Sequence, residues 1–171
     1  MTDALYDPYG YDANPSDAFR RKKLLAALPQ YDYKRVLDFG CGNAFMTQIL
    51  PGEKVIGIDP DAQSIDTARK RGLGERFEFF ISSIYDIYPS RFGKFDLIVI
   101  TGVLYIHFVG RGFSVITQVI DNILNNNGVL AVCNLSHHKT MSFSYMPVLT
   151  DIYHYRTCMH RLDIYQKLSV V

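Results

Sequence analysis

The chain has 171 residues, of which 48% are hydrophobic and 20% are charged, and this composition excludes a disordered or fibrous protein. Lysine and arginine nearly balance aspartate and glutamate, and the formal net charge of +1 argues against a long nucleic acid as partner. The length fits one domain, so we expect residues 1–171 to form a single unit.

An N-terminal lid segment and a helix are predicted over residues 1–30, and residues 1–13 are typical of a loop rich in tyrosine. Asn14 can cap the helix, Pro15 suits its first position, and Asp17 can complete a capping box. The helix should end before Pro29 and should expose the basic run at 20–23 to solvent. Three leucines are expected to face the core: Leu24, Leu25 and Leu28.

From residue 34 onward, short apolar runs alternate with helical patterns. The runs are RVLDF, KVIGID, FEFFI, FDLIVI and GVLAVCNL, and the helical patterns are AFMTQIL, DAQSIDTARKRG and SVITQVIDNILNNN. Gly72 should close the second of these helices, and Asn127 with Gly128 should form the turn into the fifth strand. The alternation predicts an α/β fold with a parallel, doubly wound sheet. The tail YRTCMHRLDIYQKL predicts one or two closing strands, including an antiparallel one.

The stretch VLDFGCGNA, from Val36 to Ala44, ends the first predicted strand, and ligands bind at the carboxyl ends of strands in such sheets. Gly40 and Gly42 allow a tight turn and close approach of a ligand to the backbone. A helix predicted to begin near Ala44 would point its positive end toward that ligand. Asp59 ends the second strand, where a carboxylate can accept both ribose hydroxyls of a nucleoside.

A dinucleotide fits this loop poorly. Phe45 stands where the third glycine of the dinucleotide pattern is needed, and the carboxylate of Asp38 would repel a diphosphate. A phosphate-binding P-loop is excluded because no glycine-lysine-Ser/Thr sequence follows. A nucleoside that carries a positive charge fits both acids, and S-adenosylmethionine is such a molecule. An NAD-dependent or nucleotide-sugar oxidoreductase remains an alternative.

VLDFGCGNA resembles the first motif of the class I S-adenosylmethionine-dependent methyltransferases, with Ala44 in place of the last glycine. VIGIDPDAQSIDTAR resembles the second motif, and FDLIVITGVLYIH is similar to the fourth strand and the loop after it. DPYGYD and LIVITGVLY resemble bacterial small-molecule methyltransferases related to the nodulation N-methyltransferase, although that subgroup would carry an acid at Gly102. The resemblance implies a Rossmann-like sheet of seven strands, mostly parallel, with an antiparallel strand near the C-terminus.

The resemblance implies S-adenosyl-L-methionine as cofactor and assigns roles to several residues. Asp59 would bind the ribose, Pro60 would contact the adenine, and Thr101 would lie beside the methionine part. Ser83 stands where the family often has an acid for the adenine amino group, and the N–H of Ile84 could serve there instead. The cofactor-binding residues are then Asp38, Gly40, Gly42, Asp59, Pro60, Ser83, Ile84 and Thr101.

Methyl transfer needs mainly alignment of the reacting atoms, and a general base helps only when the acceptor arrives protonated. Tyr105 and His137 are the predicted catalytic residues, and His107 and His138 lie on the same two loops. Packed or solvent-exposed side chains are the alternative for each of them. His154 and His160 are expected to be structural. Tyr9 and Tyr11 could cover the cofactor and attract its sulfonium, and a disordered segment is the alternative.

Cys41, Cys133 and Cys158 are far apart and odd in number, so they predict neither a disulfide framework nor a zinc site. For Cys41 we expect only the backbone to matter, and no His/Asp/Glu cluster has the spacing of a metal site. The first residues lack the pattern of a signal peptide, and no apolar run approaches the roughly 20 residues of a membrane span. We therefore expect a cytoplasmic protein with no membrane partner and no metal.

The predicted function is transfer of a methyl group from S-adenosylmethionine to oxygen or nitrogen of a small-molecule acceptor, by a monomer or homodimer. Methylation of a protein or of tRNA is a further alternative, for which the sequence shows no docking surface. A non-catalytic module that binds S-adenosylmethionine or S-adenosylhomocysteine, as a sensor or partner subunit, is the main alternative. The missing acid at Gly102 favours that module.

Overall fold

The structure is a computed structural model that describes residues 7–105, 110, 112–137 and 143–169. Seven strands form one sheet in this part of the chain: β1 (Arg35–Phe39), β2 (Lys54–Asp59), β3 (Phe77–Ile81), β4 (Phe95–Thr101), β5 (Leu124–Leu135), β6 (Met146–Tyr155) and β7 (Cys158–Gln166). The α-helices within these ranges are α1 (Pro15–Ala27), α2 (Ala62–Lys70), α3 (Pro89–Phe92) and α4 (Phe113–Ile123).

The strand order is β3-β2-β1-β4-β5-β7-β6. Strands β1 to β5 are parallel, β7 is antiparallel to β5, and β6 is antiparallel to β7. The chain runs outward from β1 to β3 and then returns to place β4 on the other side of β1. The order therefore reverses between β1 and β4, which is where ligands bind in open sheets of this kind. The predicted seven-stranded, mostly parallel fold is confirmed.

Both faces of the central strands are buried. Leu37 and Phe39 pack in the apolar cluster on one face, and Val36 packs in the cluster on the other. In β4, Ile98 and Leu97 divide in the same way. This arrangement explains why the strands read as continuous apolar runs, because no side of them meets water.

Helix α1 begins and ends as predicted, but two of its side chains, Asp17 and Leu25, are not where the sequence predicts them. The Asn14 side chain accepts the N–H of Ser16 at 2.9 Å, and the helix ends at Ala27, two residues before Pro29. The capping box is wrong, because the buried carboxylate of Asp17 instead accepts the hydroxyl of Tyr155 at 2.7 Å. Of the three leucines expected in the core, Leu24 and Leu28 are buried, whereas Leu25 is exposed.

Two turns also differ from the prediction. The helix expected over AFMTQIL is wrong, because only a short 3-10 helix forms there, at Thr47–Ile49. Asn127 and Gly128 do not precede the fifth strand but lie inside β5, where the pairing with β4 shifts register and Asn127 has a φ of +62°. Gly72 does close α2, with a φ of +61°. No helix in the described ranges is long and apolar enough to cross a membrane.

Candidate cofactor site

A cavity of about 740 Å³ lies at the carboxyl ends of β1, β2 and β4, and this volume is in the range of small-molecule sites. Of the eight predicted cofactor-binding residues, all but Asp38 line it: Gly40, Gly42, Asp59, Pro60, Ser83, Ile84 and Thr101. The cavity is closed on the other sides by residues from the segment before α1, which we call the leader (7–14), and from α1, β5 and the β6–β7 hairpin.

The loop after β1 uses left-handed backbone at three positions. Gly40, Gly42 and Ala44 have φ values of +72°, +52° and +66°. A side chain at Gly40 would lie 2.2 Å from a methyl carbon of Val103, so glycine is required there for space as well as conformation. Ala44 adopts a conformation that glycine favours, which agrees with its place at the third glycine of the motif.

Three successive N–H groups of this loop are already bonded to β2. Gly40 and Cys41 donate to the carbonyl oxygen of Ile58 at 2.9 and 3.0 Å, and Gly42 donates to Asp59 Oδ2 at 2.9 Å. A diphosphate needs such groups free, together with a helix N-terminus that this loop lacks. The geometry therefore disfavours a dinucleotide at this loop, as the sequence argument predicts.

Asp59 is fixed from both sides. Its Oδ2 accepts from Gly42, and its Oδ1 accepts from the N–H of Asp61 at 2.9 Å. Burial raises the pKa of this carboxyl, while the two backbone hydrogen bonds oppose that effect. An ionised carboxylate has about four acceptor positions. Asp59 therefore keeps capacity for further hydroxyl donors from a ligand in the cavity.

Asp38 lies beneath the loop rather than on the cavity wall. Its side chain is fully buried, and its Oδ2 accepts the hydroxyl of Thr47 at 2.6 Å. The other oxygen, Oδ1, is buried without a partner in the described chain. Burial raises the pKa of Asp38 to about 7, although the Thr47 hydrogen bond lowers it. An orphaned acidic oxygen behind the loop fits a ligand group that carries positive charge.

Ser83 and Ile84 follow β3 and start a short 3-10 helix, Ile84–Asp86. The Ser83 hydroxyl donates to Asp86 Oδ2 at 2.7 Å. The ring of Tyr85, half exposed, also lines this end of the cavity. This end is therefore an apolar and aromatic slot beside Asp59, of the kind that takes a flat ring.

Arg20 is only 6% exposed and lines the cavity, so the predicted solvated face at 20–23 is wrong at this position. Its Nη2 lies 3.2 Å from Asp17 Oδ1, and its guanidinium lies 5.1 Å from the ring centroid of Tyr155. Its Nε is buried without a partner among the described residues. A guanidinium on the wall of a cavity can attract an anionic group such as a carboxylate.

The leader places both predicted lid tyrosines on the cavity. The Tyr11 ring stacks on that of Phe45 with centroids 5.4 Å apart, and the Tyr9 ring lies 5.3 Å from the Tyr11 ring. Arg156 Nη2 donates to the carbonyl oxygen of Tyr9 at 2.8 Å. The leader is thus attached to the β6–β7 hairpin across the cavity.

Of the two predicted catalytic residues, only Tyr105 lies on the cavity wall. Tyr105 lines the cavity, is buried, and accepts the N–H of Leu135 at 3.1 Å through its hydroxyl oxygen. His137 is exposed and is not part of the cavity wall. His107 and His138 lie outside the described residues.

Arg20, Tyr155 and His160 are among the residues on the cavity wall that sequence reasoning missed. His160 was expected to be structural. The contact that brings Tyr155 to α1 joins residues 138 positions apart. Local patterns carry no signal for such a contact. Cys41 lies in the cavity wall, but burial raises the pKa of its thiol well above the usual range.

The sequence model of a family described as a methyltransferase domain matches residues 31–162. Trans-aconitate 2-methyltransferase of Sinorhizobium fredii is 39% identical over 61 residues, which are 33% of this chain and 24% of that protein. Malonyl-[acyl-carrier protein] O-methyltransferase of Legionella pneumophila is 27% identical over 124 residues, which are 70% of this chain and 41% of that protein. The chain therefore spans less than half the length of these relatives.

Among solved structures, the N-methyltransferase NodS from Bradyrhizobium japonicum WM9 in complex with S-adenosyl-L-homocysteine has a TM-score of 0.78 at 21% identity. The match covers 96% of this chain and 93% of that chain. At this identity the likeness establishes the fold. Because the family match covers more than half of the sequence, the chain belongs to the methyltransferase-domain family, with the class I architecture that its glycine loop and second-strand acid predicted.

Proposed function

We propose that the chain binds S-adenosylmethionine and transfers its methyl group to oxygen or nitrogen of a small acceptor. The observation that carries the proposal is the pair of opposite charges around the glycine loop. The Asp38 carboxylate lies behind the loop with Oδ1 unpartnered, and Arg20 lines the same cavity with Nε unpartnered. An amino acid zwitterion has one charge for each of them.

The nucleoside half of the cofactor fits the β2–β3 side of the cavity. Asp59 would accept the ribose hydroxyls, because its backbone bonds leave two acceptor positions. Pro60, Ser83 and Ile84 line the adjoining slot, where the adenine would lie. Here Ser83 already donates to Asp86, so the N–H of Ile84 is the better candidate to meet the adenine.

The amino acid half fits the space over the loop. Asp38 would attract the ammonium by its charge from behind the loop, and the guanidinium of Arg20, whose side chain lines the cavity, would attract the carboxylate. Thr101 lines the cavity beside this position. The bound cofactor would supply a methyl group on a positively charged sulfur. The chain would contribute orientation, which supplies ~7–11 kcal/mol in well-aligned reactions.

The leader would exclude water during transfer. Tyr9 and Tyr11 line the cavity and would cover the sulfonium, for which aromatic faces contribute ~0.5–2 kcal/mol. Tyr105 is the one predicted catalytic residue on the cavity wall. Burial raises its pKa, so its phenol would act as a hydrogen-bond group toward the acceptor rather than as a base. His137 would contribute only if its loop turned inward.

The acceptor is proposed to be a small molecule with an oxygen or nitrogen nucleophile. One relative is named a trans-aconitate 2-methyltransferase and another a malonyl-[acyl-carrier protein] O-methyltransferase. The structural neighbour is named an N-methyltransferase. We propose a monomer or homodimer that works in the cytoplasm, which three unpaired cysteines support.

Calorimetry with S-adenosylmethionine, S-adenosylhomocysteine and NAD tests the proposal. We expect the two sulfur nucleosides to bind and NAD to leave the titration flat. Methyl-labelled cofactor with a panel of carboxylate, phenol and amine acceptors then tests transfer. Binding without any labelled product would support a non-catalytic module, and binding of NAD alone would support an oxidoreductase.

A further inference from the structure

His160 lies where β5, β6 and β7 come together beside the cavity. It is opposite Leu135 on β5 and opposite Tyr153 on β6 in the strand register. The ring is 3% exposed and lines the cavity next to Leu135. Since Leu135 donates its N–H to Tyr105, these residues mark one end of the cavity, which we call the acceptor end.

Three side chains form a hydrogen-bonded row behind this end. The Tyr153 hydroxyl lies 3.2 Å from Cys133 Sγ, and Sγ lies 3.5 Å from His160 Nδ1. Both Tyr153 and Cys133 are buried. The sulfur is the hydrogen-bond partner of the Tyr153 hydroxyl in the described chain.

The direction of the row follows from counting its protons. If the Tyr153 hydroxyl donates to Sγ, the thiol proton of Cys133 is left for Nδ1 of His160, and each buried proton has an acceptor. In the opposite direction, Nδ1–H would donate to sulfur and the thiol to the phenol oxygen. The phenol proton would then be buried without an acceptor, which is costly. If the phenol and Nδ1–H both donated to Sγ, the thiol proton would be the one without an acceptor. Only the row that runs from Tyr153 to His160 pairs every buried proton, and on that ground we assign Nδ1 as the acceptor.

A neutral imidazole that accepts at Nδ1 carries its proton on Nε2. Burial and the positive charge of Arg20 lower the pKa of His160 to about 4, although Asp17 opposes this, so the ring is neutral at physiological pH. Nε2 makes no hydrogen bond in the described chain and is not among its buried unpartnered atoms. Because the ring lines the cavity, this N–H faces the cavity rather than the core.

The neighbouring acid is not available to a ligand. Asp17 Oδ1 receives the Tyr155 hydroxyl at 2.7 Å and Arg20 Nη2 at 3.2 Å. Its Oδ2 receives Arg156 Nε and Nη2 at 3.1 and 2.7 Å. The Asp17 carboxylate is therefore used within the protein, and the acceptor for the His160 N–H must come from a ligand.

We infer that the acceptor molecule presents a carboxylate at the acceptor end, held by the Nε2–H of His160, and that this carboxylate is methylated. The inference rests on the proposed function and names its substrate class. A lone pair of the carboxylate oxygen forms the new O–CH₃ bond, and the S–CH₃ bond breaks with its electron pair remaining on sulfur. The products are a methyl ester and S-adenosylhomocysteine, and no proton is released. A carboxylate is deprotonated at neutral pH, so a donor at His160 suffices and a general base is not needed.

The first test measures the tautomer of His160 in the wild-type protein saturated with S-adenosylhomocysteine. Histidine labelled with ¹⁵N, read by long-range ¹H–¹⁵N correlation at pH 7, should show Nε2 protonated and Nδ1 bare. A proton on Nδ1, or a doubly protonated ring, would overturn the inference. This test needs no variant and so does not depend on a variant that folds.

The second test titrates benzoate, and benzamide as its neutral analogue, into the same complex by calorimetry. We expect benzoate to bind at least about tenfold more tightly than benzamide, since a hydrogen bond to a charged group is worth this much or more. His160→Phe should lose about tenfold in benzoate affinity, and His160→Gln, which keeps an N–H donor, should lose less than about threefold. His154→Phe removes an exposed histidine from β6 and should change nothing.

Equal binding of the two probes, no benzoate binding, or an unchanged affinity in His160→Phe would each overturn the carboxylate assignment. The cofactor product is titrated first, so the two proposals fail separately. If S-adenosylhomocysteine does not bind, the proposed function fails. If it binds and benzoate is not preferred, only the acceptor class is wrong.

Discussion

Replacing Asp59 with alanine tests the nucleoside half of the proposed site most directly. The wild-type carboxylate accepts one hydrogen bond from Gly42 and one from Asp61, both at 2.9 Å. It keeps acceptor positions for two ribose hydroxyls. Losing a bidentate hydrogen bond to a charged group should weaken cofactor binding by about 2–3 kcal/mol, which is roughly a 30- to 140-fold rise in Kd. Calorimetry with S-adenosylhomocysteine measures this change.

A thermodynamic cycle separates the ribose contact from damage to the loop. Methylthioadenosine and its 2′,3′-dideoxy analogue are titrated into wild type and Asp59→Ala. We expect the dideoxy analogue to lose affinity only with the wild type, because the variant has no contact left to lose. Asp66→Ala, which removes an exposed acid of α2, is the matched control and should bind normally. If a folded Asp59→Ala protein keeps the wild-type Kd, the ribose lies elsewhere and the reasoning fails.

Asp38→Asn should abolish a pH dependence of S-adenosylhomocysteine binding. Burial raises the pKa of Asp38 to about 7, and the ammonium of the ligand is attracted only by the ionised form. The wild-type Kd should therefore rise about tenfold per pH unit as the pH falls below 7. A wild-type Kd that stays constant from about pH 5.5 to 8 would contradict this. Arg20→Met should weaken S-adenosylhomocysteine about 10- to 100-fold but leave methylthioadenosine, which lacks the carboxylate, unaffected; Lys22→Met is the control. Gly40→Ala should destabilise the fold by at least about 2 kcal/mol in denaturant unfolding, because its Cβ would meet a side-chain carbon at 2.2 Å, whereas Gly72→Ala, which meets nothing within 4 Å, should cost about 1 kcal/mol. Equal losses in the two glycine variants would exclude the steric explanation.

The sheet and the glycine loop could be predicted because their signals are local. The central strands β1, β2 and β4 are buried on both faces and therefore read as apolar runs, and parallel strands bring the residues after them to one edge. Gly40, Gly42 and Asp59 follow from that rule alone. The helix at 44–50 was wrong because Ala44 takes a left-handed φ and Pro51 follows, so too few residues remain for an α-helix.

The rest of the cavity wall depends on contacts that no window of sequence contains. Arg20 belongs to a basic run, and its burial follows from Asp17, Tyr155 and Arg156, which lie on elements far apart in the chain. His160 reads as a strand histidine until the register places it beside Leu135. The sequence places Asp38 correctly on β1 but predicts it beside the ligand. In the structure its carboxylate is buried beneath the loop, where it accepts the Thr47 hydroxyl.

The bond between Asp17 and Tyr155 joins residues 138 positions apart. During synthesis, a ribosome-bound chain would already hold the glycine loop and the second-strand acid while the hairpin that completes the wall was still inside the exit tunnel. Such a nascent chain could meet a nucleoside but could not enclose it. Ligand capture should therefore be a property of the finished polypeptide, and truncation before β7 should abolish it even where the first five strands remain folded.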